Sequence, residues 1–250
     1  MRLFIWSFFL FIHSLITSFA YAEKDESNNI TDGMILVPVG KFKMGCNQFG
    51  PMHGAPEHVV HLSSFMIDKY EVTNKSYEEI VPDHNLRRSI HSKCDDCPVS
   101  RVSWYEAADY CYLIGKTLPT EAQWEKAAGN GDGCAFPWGY EFDRNTNQAR
   151  GGLKIIDKSK PVGNYQPNKY GIYDMAGNLW EWVSDWFSPE YRFSGYLYNP
   201  KGSSSGRMKV RRGGSYSDNI KAMTTGYRDW SHPSSRDFSD IGFRCVMNIK

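Results

Sequence analysis

Hydrophobic and polar residues alternate loosely in the first clearly patterned segment, residues 33–44, which read GMILVPVGKFKM. This alternation predicts two short strands separated by the proline and glycine around residues 38–40. A similar apolar alternation over residues 58–67 predicts one further strand. Toward the end of the chain, residues 210–217 and 241–247 predict two more, the first of which carries a double glycine. The pattern favours several short strands over one long regular sheet.

Two helices are predicted by capping boxes, in which an N-cap hydroxyl and a side chain three residues later exchange hydrogen bonds with the backbone. Ser103 and Glu106 form the first box, and Gly115 is placed to end that helix. Thr120 and Gln123 form the second box, after a short link that contains a Leu-Pro pair. The apolar residues that the two helices would bury are Ala107, Cys111, Ile114, Trp124, Ala127 and Ala128.

The densest pattern is YDMAGNLWEWVSDWF, residues 173–187. If residues 179–183 are extended, Trp180 and Trp182 share one face and Glu181 points to the other. Such a segment either satisfies the backbone of a turn or binds a hard cation, because calcium prefers carboxylate, amide and carbonyl oxygens. From the residues alone both interpretations stay open. The oxygen-bearing side chains between the tryptophans are Asp174, Asn178, Glu181 and Asp185.

The composition narrows the class of protein. The chain has 250 residues and a formal net charge of +1, so it has no basic excess that would favour nucleic-acid binding. It is 41% hydrophobic and 15% aromatic, which is typical of a folded domain rather than a disordered chain. Its 22 glycines and 12 prolines favour a compact, loop-rich fold.

The beginning of the chain has the pattern of a secretory signal. Arg2 precedes a mostly apolar run over residues 3–12, and Ala-Tyr-Ala at residues 20–22 fits the small-x-small cleavage pattern. The prediction is a signal peptide over residues 1–22, a flexible lead-in over 23–32 and one domain over 33–250, in the periplasm or secreted. The alternative is an uncleaved anchor; after cleavage no membrane span is expected.

Export changes the interpretation of the six cysteines, because an even number in an oxidising compartment indicates disulfides. The Cys94-Asp95-Asp96-Cys97 motif could instead be half of a zinc site or a redox pair. No second paired set completes a zinc site, and Pro98 follows directly where a redox motif usually opens a helix. We therefore favour structural disulfides for most of the six. The partners of Cys46, Cys94, Cys97 and Cys134 stay open.

Taken together, several runs resemble the sulfatase-modifying-factor family, that is, the formylglycine-generating-enzyme domain. The most specific combination is LPTEAQWE with GNLWEW and GGSY, and further runs match in the family's order, including MIDKYEVTNKSY, VSWYEAADYC, FPWG and IGFRC. The resemblance implies one α+β domain of the formylglycine-generating-enzyme fold, which is similar to the C-type lectin fold and has little regular secondary structure.

The resemblance also implies roles for particular residues. It implies a calcium site with side-chain oxygens from Asp174 and Glu181 and backbone carbonyls from Gly177 and Leu179. It implies a disulfide between Cys111 and Cys245. A second calcium site would begin at Asn147 and Gln148, with Asp157 as a candidate ligand. The residues that fall in the family's active-site motifs, and are therefore candidates for catalysis, are Ser215, Arg212 and Trp180.

The chain departs from the family at the copper site. Formylglycine-generating enzymes follow GGSY with two cysteines that bind copper(I), which requires soft thiolates. Here those positions match Asp218 and Met223, so copper binding and copper-dependent oxidation of a sulfatase cysteine are not expected.

The prediction is a calcium-bound accessory or binding module with a protein, peptide or small-molecule partner. The alternative is a periplasmic oxidoreductase or maturation enzyme of the same family, of the siderophore-maturation type or formylglycine-generating-like. The aromatic residues that could line a groove are Trp138, Tyr140, Trp180 and Trp230.

Overall fold

Short strands form three small sheets in the part of the chain that the structure describes. The computed structural model describes residues 31–50, 52–54, 56–129, 131–141, 158–189 and 197–249. The predicted signal peptide, and the second calcium site predicted at Asn147, Gln148 and Asp157, lie outside the described residues.

The first sheet joins the beginning and the end of the described chain. Strand β4 (Phe65–Asp68) lies at its centre, with β1 (Met34–Val37) on one side and β10 (Val246–Asn248) on the other. Both outer strands are antiparallel to β4, so they run parallel to each other. Residues separated by more than 200 positions in sequence thus meet in one sheet, which is a non-local contact that no short-range pattern encodes.

The second sheet shows that the single strand predicted over residues 58–67 was wrong. Strand β3 (His58–Leu62) ends there and pairs with β2 (Gly40–Met44) and with the two-residue β6 (Leu197–Tyr198). The chain then turns at two serines and enters the first sheet as β4. The Ser63 backbone N–H donates to Asn199 Oδ1 at 2.8 Å, so that donor is satisfied by a side chain at the turn rather than by a ladder.

The third sheet carries the tryptophan-rich segment as β5 (Trp180–Trp186), in the order β8-β7-β5-β9. Its other strands are β7 (Lys209–Arg212), β8 (Arg228–Ser231) and β9 (Ile241–Gly242). The strand predicted over residues 210–217 ends early, because the two glycines after β7 have φ angles of 95° and 71°. The strand predicted over residues 241–247 divides between two sheets, as β9 and β10.

Three α-helices pack among these sheets in the described part of the chain: α1 (Asn74–Ile80), α2 (Trp104–Leu113) and α3 (Glu121–Ala128). Both predicted capping boxes are confirmed, with reciprocal hydrogen bonds at the start of α2 and of α3. Gly115 follows α2 at a φ of 74°, the left-handed conformation expected after a helix end. None of the described helices is long and apolar enough to cross a membrane.

The alternation predicted for the central strand is confirmed, and it separates two apolar clusters. Trp180 and Trp182 pack in one cluster with residues of α2, while Val183 packs in the other with Trp124 of α3. Glu181 points away from its two tryptophan neighbours and is 1% exposed. Strand β5 is therefore covered on both faces, which explains why its polar residues are buried.

Three disulfides use all six cysteines of the chain: Cys46–Cys134, Cys94–Cys97 and Cys111–Cys245. They close loops of very different length, with separations of 88, 3 and 134 residues. In the chain-entropy model the longest loop gives about 5 kcal/mol of stabilisation and the shortest only about 2 kcal/mol. The bridge between α2 and the segment before β10 therefore stabilises the fold most.

Candidate functional site

The turn that precedes β5 has an unusual backbone. Asp174, Gly177 and Asn178 have φ angles of 57°, 77° and 60°. Aspartate and asparagine are the non-glycine residues that best tolerate this left-handed region, because their short side chains can hydrogen-bond locally. In the sequence YDMAGN, an aspartate, a glycine and an asparagine stand at the three positions with a left-handed backbone. The turn brings acidic side chains toward one buried region.

Three carboxylates and one guanidinium meet beneath this turn. Glu71, Asp174 and Glu181 are 2%, 7% and 1% exposed, and Arg244 is fully buried. Together they carry three negative charges and one positive charge, a formal sum of −2. Burial raises the pKa of Glu71 well above its ordinary value, and the charges of Asp174 and Glu181 raise it further. This excess of negative charge is what a buried cation would neutralise.

Glu181 is held by two partners. Its Oε1 accepts from Arg244 Nη2 at 2.7 Å, and its Oε2 accepts from Arg244 Nε at 2.7 Å and from Trp124 Nε1 at 2.8 Å. A carboxylate has about four lone-pair sites, so Oε1 retains capacity for one further ligand. Glu181 can therefore contribute to a cation site while it keeps its ion pair.

Asp174 offers an oxygen that has no partner among the described residues. Its Oδ2 accepts from the Gly163 backbone N–H at 2.6 Å, whereas its buried Oδ1 accepts no hydrogen bond. Burial raises the pKa of Asp174 to about 6, against the opposing effect of that hydrogen bond. A buried carboxylate oxygen without a donor is costly, and a bound cation would satisfy it.

Sequence reasoning missed Glu71, which completes this acidic cluster. Its Oε1 accepts from the Leu179 backbone N–H at 3.1 Å, and its Oε2 accepts from Asn178 Nδ2 at 2.6 Å. It therefore fixes the turn. The signal was its place in the MIDKYEVTNKSY run, where a charged residue precedes a buried valine.

Side chains alone do not complete a metal site here. Across the described ranges, no three His, Cys, Asp or Glu residues are grouped so as to hold a metal ion. A cation at this turn would need backbone carbonyls as well, and calcium accepts such mixed oxygen ligands. The calcium site that the sequence resemblance implies, with carbonyls from Gly177 and Leu179, stays a prediction.

A second polar cluster surrounds Asp218, one of the two positions that the resemblance matches to the family's copper cysteines. The Oδ2 atom of Asp218 accepts from Trp180 Nε1 at 2.7 Å, from the Ser215 backbone N–H at 3.1 Å and from Ser215 Oγ at 2.5 Å. Ser215 Oγ also lies 3.2 Å from Asp240 Oδ2. Burial raises the pKa of Asp240, and Asp218 adds to this while Arg211 opposes it. Two of the three catalytic candidates, Ser215 and Trp180, thus meet at the Asp218 carboxylate, to which both donate.

The other two sequence-predicted positions lie in the interior. Met223 is fully buried and packs with Phe136 and Ala176. Arg212 is fully buried and pairs with Glu121 at 3.2 Å and with Glu125 at 2.5 Å. The structure therefore places Arg212 in a network that ties β7 to α3, where no solute in solvent reaches it.

A row of half-buried aromatic rings begins beside this cluster. The Tyr227 ring centroid lies 6.3 Å from Trp180 and 5.0 Å from His53, and His53 lies 5.6 Å from Trp230. Trp230 in turn stacks on Phe187 at 4.1 Å. We call Tyr227, His53, Trp230 and Phe187 the aromatic row. All four residues are partly buried, and Tyr227 and Phe187 also pack against the two apolar clusters of the core.

Of the four aromatic residues predicted to line a groove, the structure brings only Trp230 into this row. Trp180 is 1% exposed and belongs to the core. Trp138 stacks on Phe136 at 5.3 Å, and Tyr140 is exposed and bonded to Asp132, in a separate loop. His53 and Tyr227 were missed, because their spacing along the chain gives no sign that they meet.

Comparison with known proteins gives consistent results. The sequence profile of the sulfatase-modifying factor enzyme 1-like domain matches residues 18–249. A formylglycine-generating enzyme of Streptomyces coelicolor is 31% identical over 282 residues, which cover 86% of this chain and 89% of that protein. A Chlamydia pneumoniae protein named serine/threonine-protein kinase pkn1 is 33% identical over 262 residues, covering 94% of this chain but only 41% of that protein. Among solved structures, Treponema denticola variable protein 1 shares the fold, with a TM-score of 0.75, 24% identity and coverage of 86% of this chain and 95% of that one.

Proposed function

The chain belongs to the sulfatase-modifying factor enzyme 1-like domain family, and from this premise we propose that it is an exported, calcium-bound binding module without copper-dependent formylglycine-generating activity. The observation that carries the proposal is the state of the thiols. All six cysteines of the chain are in disulfides, and none is free.

Copper(I) chemistry needs soft thiolate ligands, and the two matching positions provide none. At one of them the Asp218 carboxylate already accepts hydrogen bonds from Trp180 and Ser215. At the other, Met223 is fully buried in an apolar cluster, so its thioether does not face solvent. A substrate cysteine at this surface would meet a hard carboxylate instead of a copper–thiolate centre.

Two features support calcium binding at the central turn: the excess of negative charge and the oxygen atoms with unused acceptor capacity. A divalent hard cation would neutralise the formal charge of −2 beneath the turn. It would also bind the Asp174 Oδ1, which has no hydrogen-bond partner, and the remaining lone pair of Glu181 Oε1. When bound, calcium would supply structural stabilisation, because it would neutralise buried carboxylates that otherwise oppose folding.

Ligand binding is supported by the aromatic row and the polar cluster beside it. Stacked aromatic rings that are partly exposed favour flat or apolar ligands. Such side chains have few rotatable bonds, so they lose little conformational entropy when a ligand binds. At the same end, Arg211 lies 4.7 Å over the Trp180 ring and pairs with Asp229 at 2.7 Å. A protein, peptide or small-molecule partner with an apolar and a polar part would match this surface.

The first experiment measures the proposed lack of activity. The mature protein is incubated with copper(I), oxygen and a sulfatase-motif peptide, and the peptide is examined by mass spectrometry for an aldehyde. The Streptomyces coelicolor relative serves as the positive control under the same conditions. We expect no aldehyde above background, and formylglycine in the peptide would overturn the proposal.

Elemental analysis of the protein, purified without chelator, distinguishes this function from a second one. The second candidate is a maturation enzyme of the same family with non-thiol chemistry, and the observation in its favour is the Ser215 hydroxyl held between Asp218 and Asp240. Calcium near one per chain, without copper or iron, is expected for the binding module. Stoichiometric iron or copper would favour the enzyme.

Export is the remaining part of the proposal, and the three disulfides are compatible with an oxidising compartment. Expression in a host with a periplasm, followed by fractionation and N-terminal sequencing, tests it. We expect a periplasmic or secreted chain that begins at Glu23. A cytoplasmic chain that retains Met1 would contradict it.

A further inference from the structure

One of the three disulfides contributes little to the stability of the fold. Cys94 and Cys97 are bonded across only three positions of sequence, while the other bridges span 88 and 134. A loop this short constrains the unfolded chain least, so its loss costs the fold the least. The Cys-x-x-Cys spacing is also the spacing of thiol–disulfide exchange sites.

The loop that carries this bridge is held in shape by hydrogen bonds that do not depend on it. The fully buried Asn74 donates through Nδ2 to the carbonyls of Ser92 and Cys94, at 2.8 Å each. The Asn74 backbone N–H donates to the Cys97 carbonyl at 2.9 Å. The other backbone carbonyls of the loop also accept hydrogen bonds. The Lys93 carbonyl accepts from the Arg88 guanidinium and the Asp95 carbonyl from the Lys75 N–H. The Asp96 carbonyl accepts from the Val162 N–H and the Pro98 carbonyl from Ser92 Oγ. The loop would therefore keep its conformation when the disulfide is open.

The two sulfur-bearing residues differ in access. Cys94 is exposed, whereas Cys97 is 6% exposed. In the other bridges Cys46, Cys111 and Cys245 are fully buried. Cys134 is partly exposed, so Cys94 is the most exposed of the six and the most accessible to a thiolate from solvent. Cys97 is placed to resolve the product from inside.

From these observations we propose that Cys94–Cys97 is a reversible thiol–disulfide exchange site, with Cys94 as the reacting residue and a protein dithiol as its partner. The partner thiolate attacks Cys94 Sγ, a mixed disulfide forms, and the Cys94–Cys97 bond breaks to leave a Cys97 thiolate that takes up a proton. The second partner thiolate then attacks the partner sulfur of the mixed disulfide and releases Cys94 as a thiol. Two electrons and two protons pass to this chain, and the partner dithiol becomes a disulfide.

The residues between the cysteines set the pH range of the exchange. Asp95 and Asp96 are negative, and like-charge repulsion disfavours a thiolate next to them. Arg88 offsets part of this effect, because its Nη1 lies 2.7 Å from Asp95 Oδ1. Glu78 also faces this loop through the same guanidinium. We therefore expect exchange to speed up between neutral and mildly alkaline pH.

The test uses the oxidised full mature chain and reduced thioredoxin as the protein dithiol. After incubation, free thiols are alkylated and located by peptide mapping, and folding is followed by near-ultraviolet circular dichroism. We expect Cys94 and Cys97 to become alkylated together while the other four cysteines stay bridged and the spectrum is unchanged. Oxidised glutathione should then restore the bridge. A pair that resists reduction until the other bridges open, or whose reduction unfolds the domain, would overturn the proposal.

A matched pair of variants tests which cysteine reacts. Cys97→Ser leaves the exposed Cys94 as a free thiol, and Cys94→Ser leaves the buried Cys97. At equal pH, an aromatic disulfide reagent should react at least about tenfold faster with the first variant, because access and thiolate fraction control the rate. Equal rates, or a faster reaction of Cys97, would show that Cys94 is not the reacting residue.

Discussion

Replacing Asp174 by asparagine is the sharpest test of the calcium site, because it changes one charge and little else. Asp174 lies at a φ of 57°, a conformation that asparagine tolerates and alanine does not. The asparagine amide oxygen can still accept from the Gly163 N–H, which lies 2.6 Å from the native carboxylate. What the change removes is the buried Oδ1 that has no donor.

The expected magnitude follows from linkage. A ligand that binds only the folded state at 100 times its Kd adds about 2.7 kcal/mol to the free energy of unfolding. For a domain of this size, about 2–4 °C of Tm per kcal/mol gives a rise of roughly 5–11 °C for the wild type when calcium is added to the chelator-treated protein. Asp174→Asn should lose most of that rise. In chelator the variant should be at least as stable as the wild type, since burial opposes the native carboxylate and raises its pKa to about 6.

The assay is thermal unfolding at pH 7.5, in chelator and in a calcium series, with titration calorimetry for the affinity. Asp237→Asn, which removes an exposed aspartate in a loop, is the matched control and should keep the full response. A wild type with no calcium-dependent shift would show that the site assignment is wrong. So would an Asp174→Asn variant whose Tm rises with calcium as much as the wild type does.

Three further outcomes are expected. Glu181→Ala should lower the free energy of unfolding by about 3–5 kcal/mol in urea even with chelator present, because it leaves Arg244 buried and unpaired; an effect seen only with calcium would contradict this. Burial raises the pKa of Asp185 from 3.8 to about 7, so the folded state binds a proton at this carboxylate more tightly than the unfolded state does. Protonated Asp185 therefore adds to the free energy of unfolding below about pH 4, and this contribution is lost as the pH rises to 7. Asp185→Asn should flatten that decline, by roughly 4 kcal/mol at most, and a parallel pH profile in urea titrations would refute the assignment. Gly163→Ala should cost about 1–3 kcal/mol, since its Cβ would lie 2.7 Å from the Tyr70 ring at a φ of 75°, and a Tm equal to that of the wild type would show that the turn adjusts.

Local features of this fold could be predicted from the sequence because their causes are local. The capping boxes at Ser103 and Thr120 need only residues three positions apart, and both are present. The alternation around Glu181 needs only an extended backbone, and the neighbouring tryptophans do share one apolar cluster. The family and its fold followed from runs of matching residues rather than from any single element.

Non-local features could not be predicted in the same way. The alternation over residues 58–67 continues smoothly across the serines, but pairing with strands from both ends of the chain divides it. Glu71 is far from Asp174 in sequence, so its place beneath the same turn depends on the path of the chain. The Cys46–Cys134 pairing stayed open for the same reason, since spacing alone allows several connectivities.

The first sheet has a consequence for how this domain would respond to mechanical tension. The described chain enters at Met34 opposite Asp68 and leaves at Asn248 opposite Phe65, so β1 and β10 would be pulled in opposite directions past β4. The hydrogen bonds of antiparallel pairs lie perpendicular to the strands, and such a pull would shear them together instead of opening them one at a time. The bridge at Cys245, directly before β10, would keep the loop back to Cys111 from extending. The Cys46–Cys134 bridge would likewise limit extension of the residues between β2 and α2. Tension along the chain would therefore meet a stiff unit in which two long-range disulfides restrict lengthening.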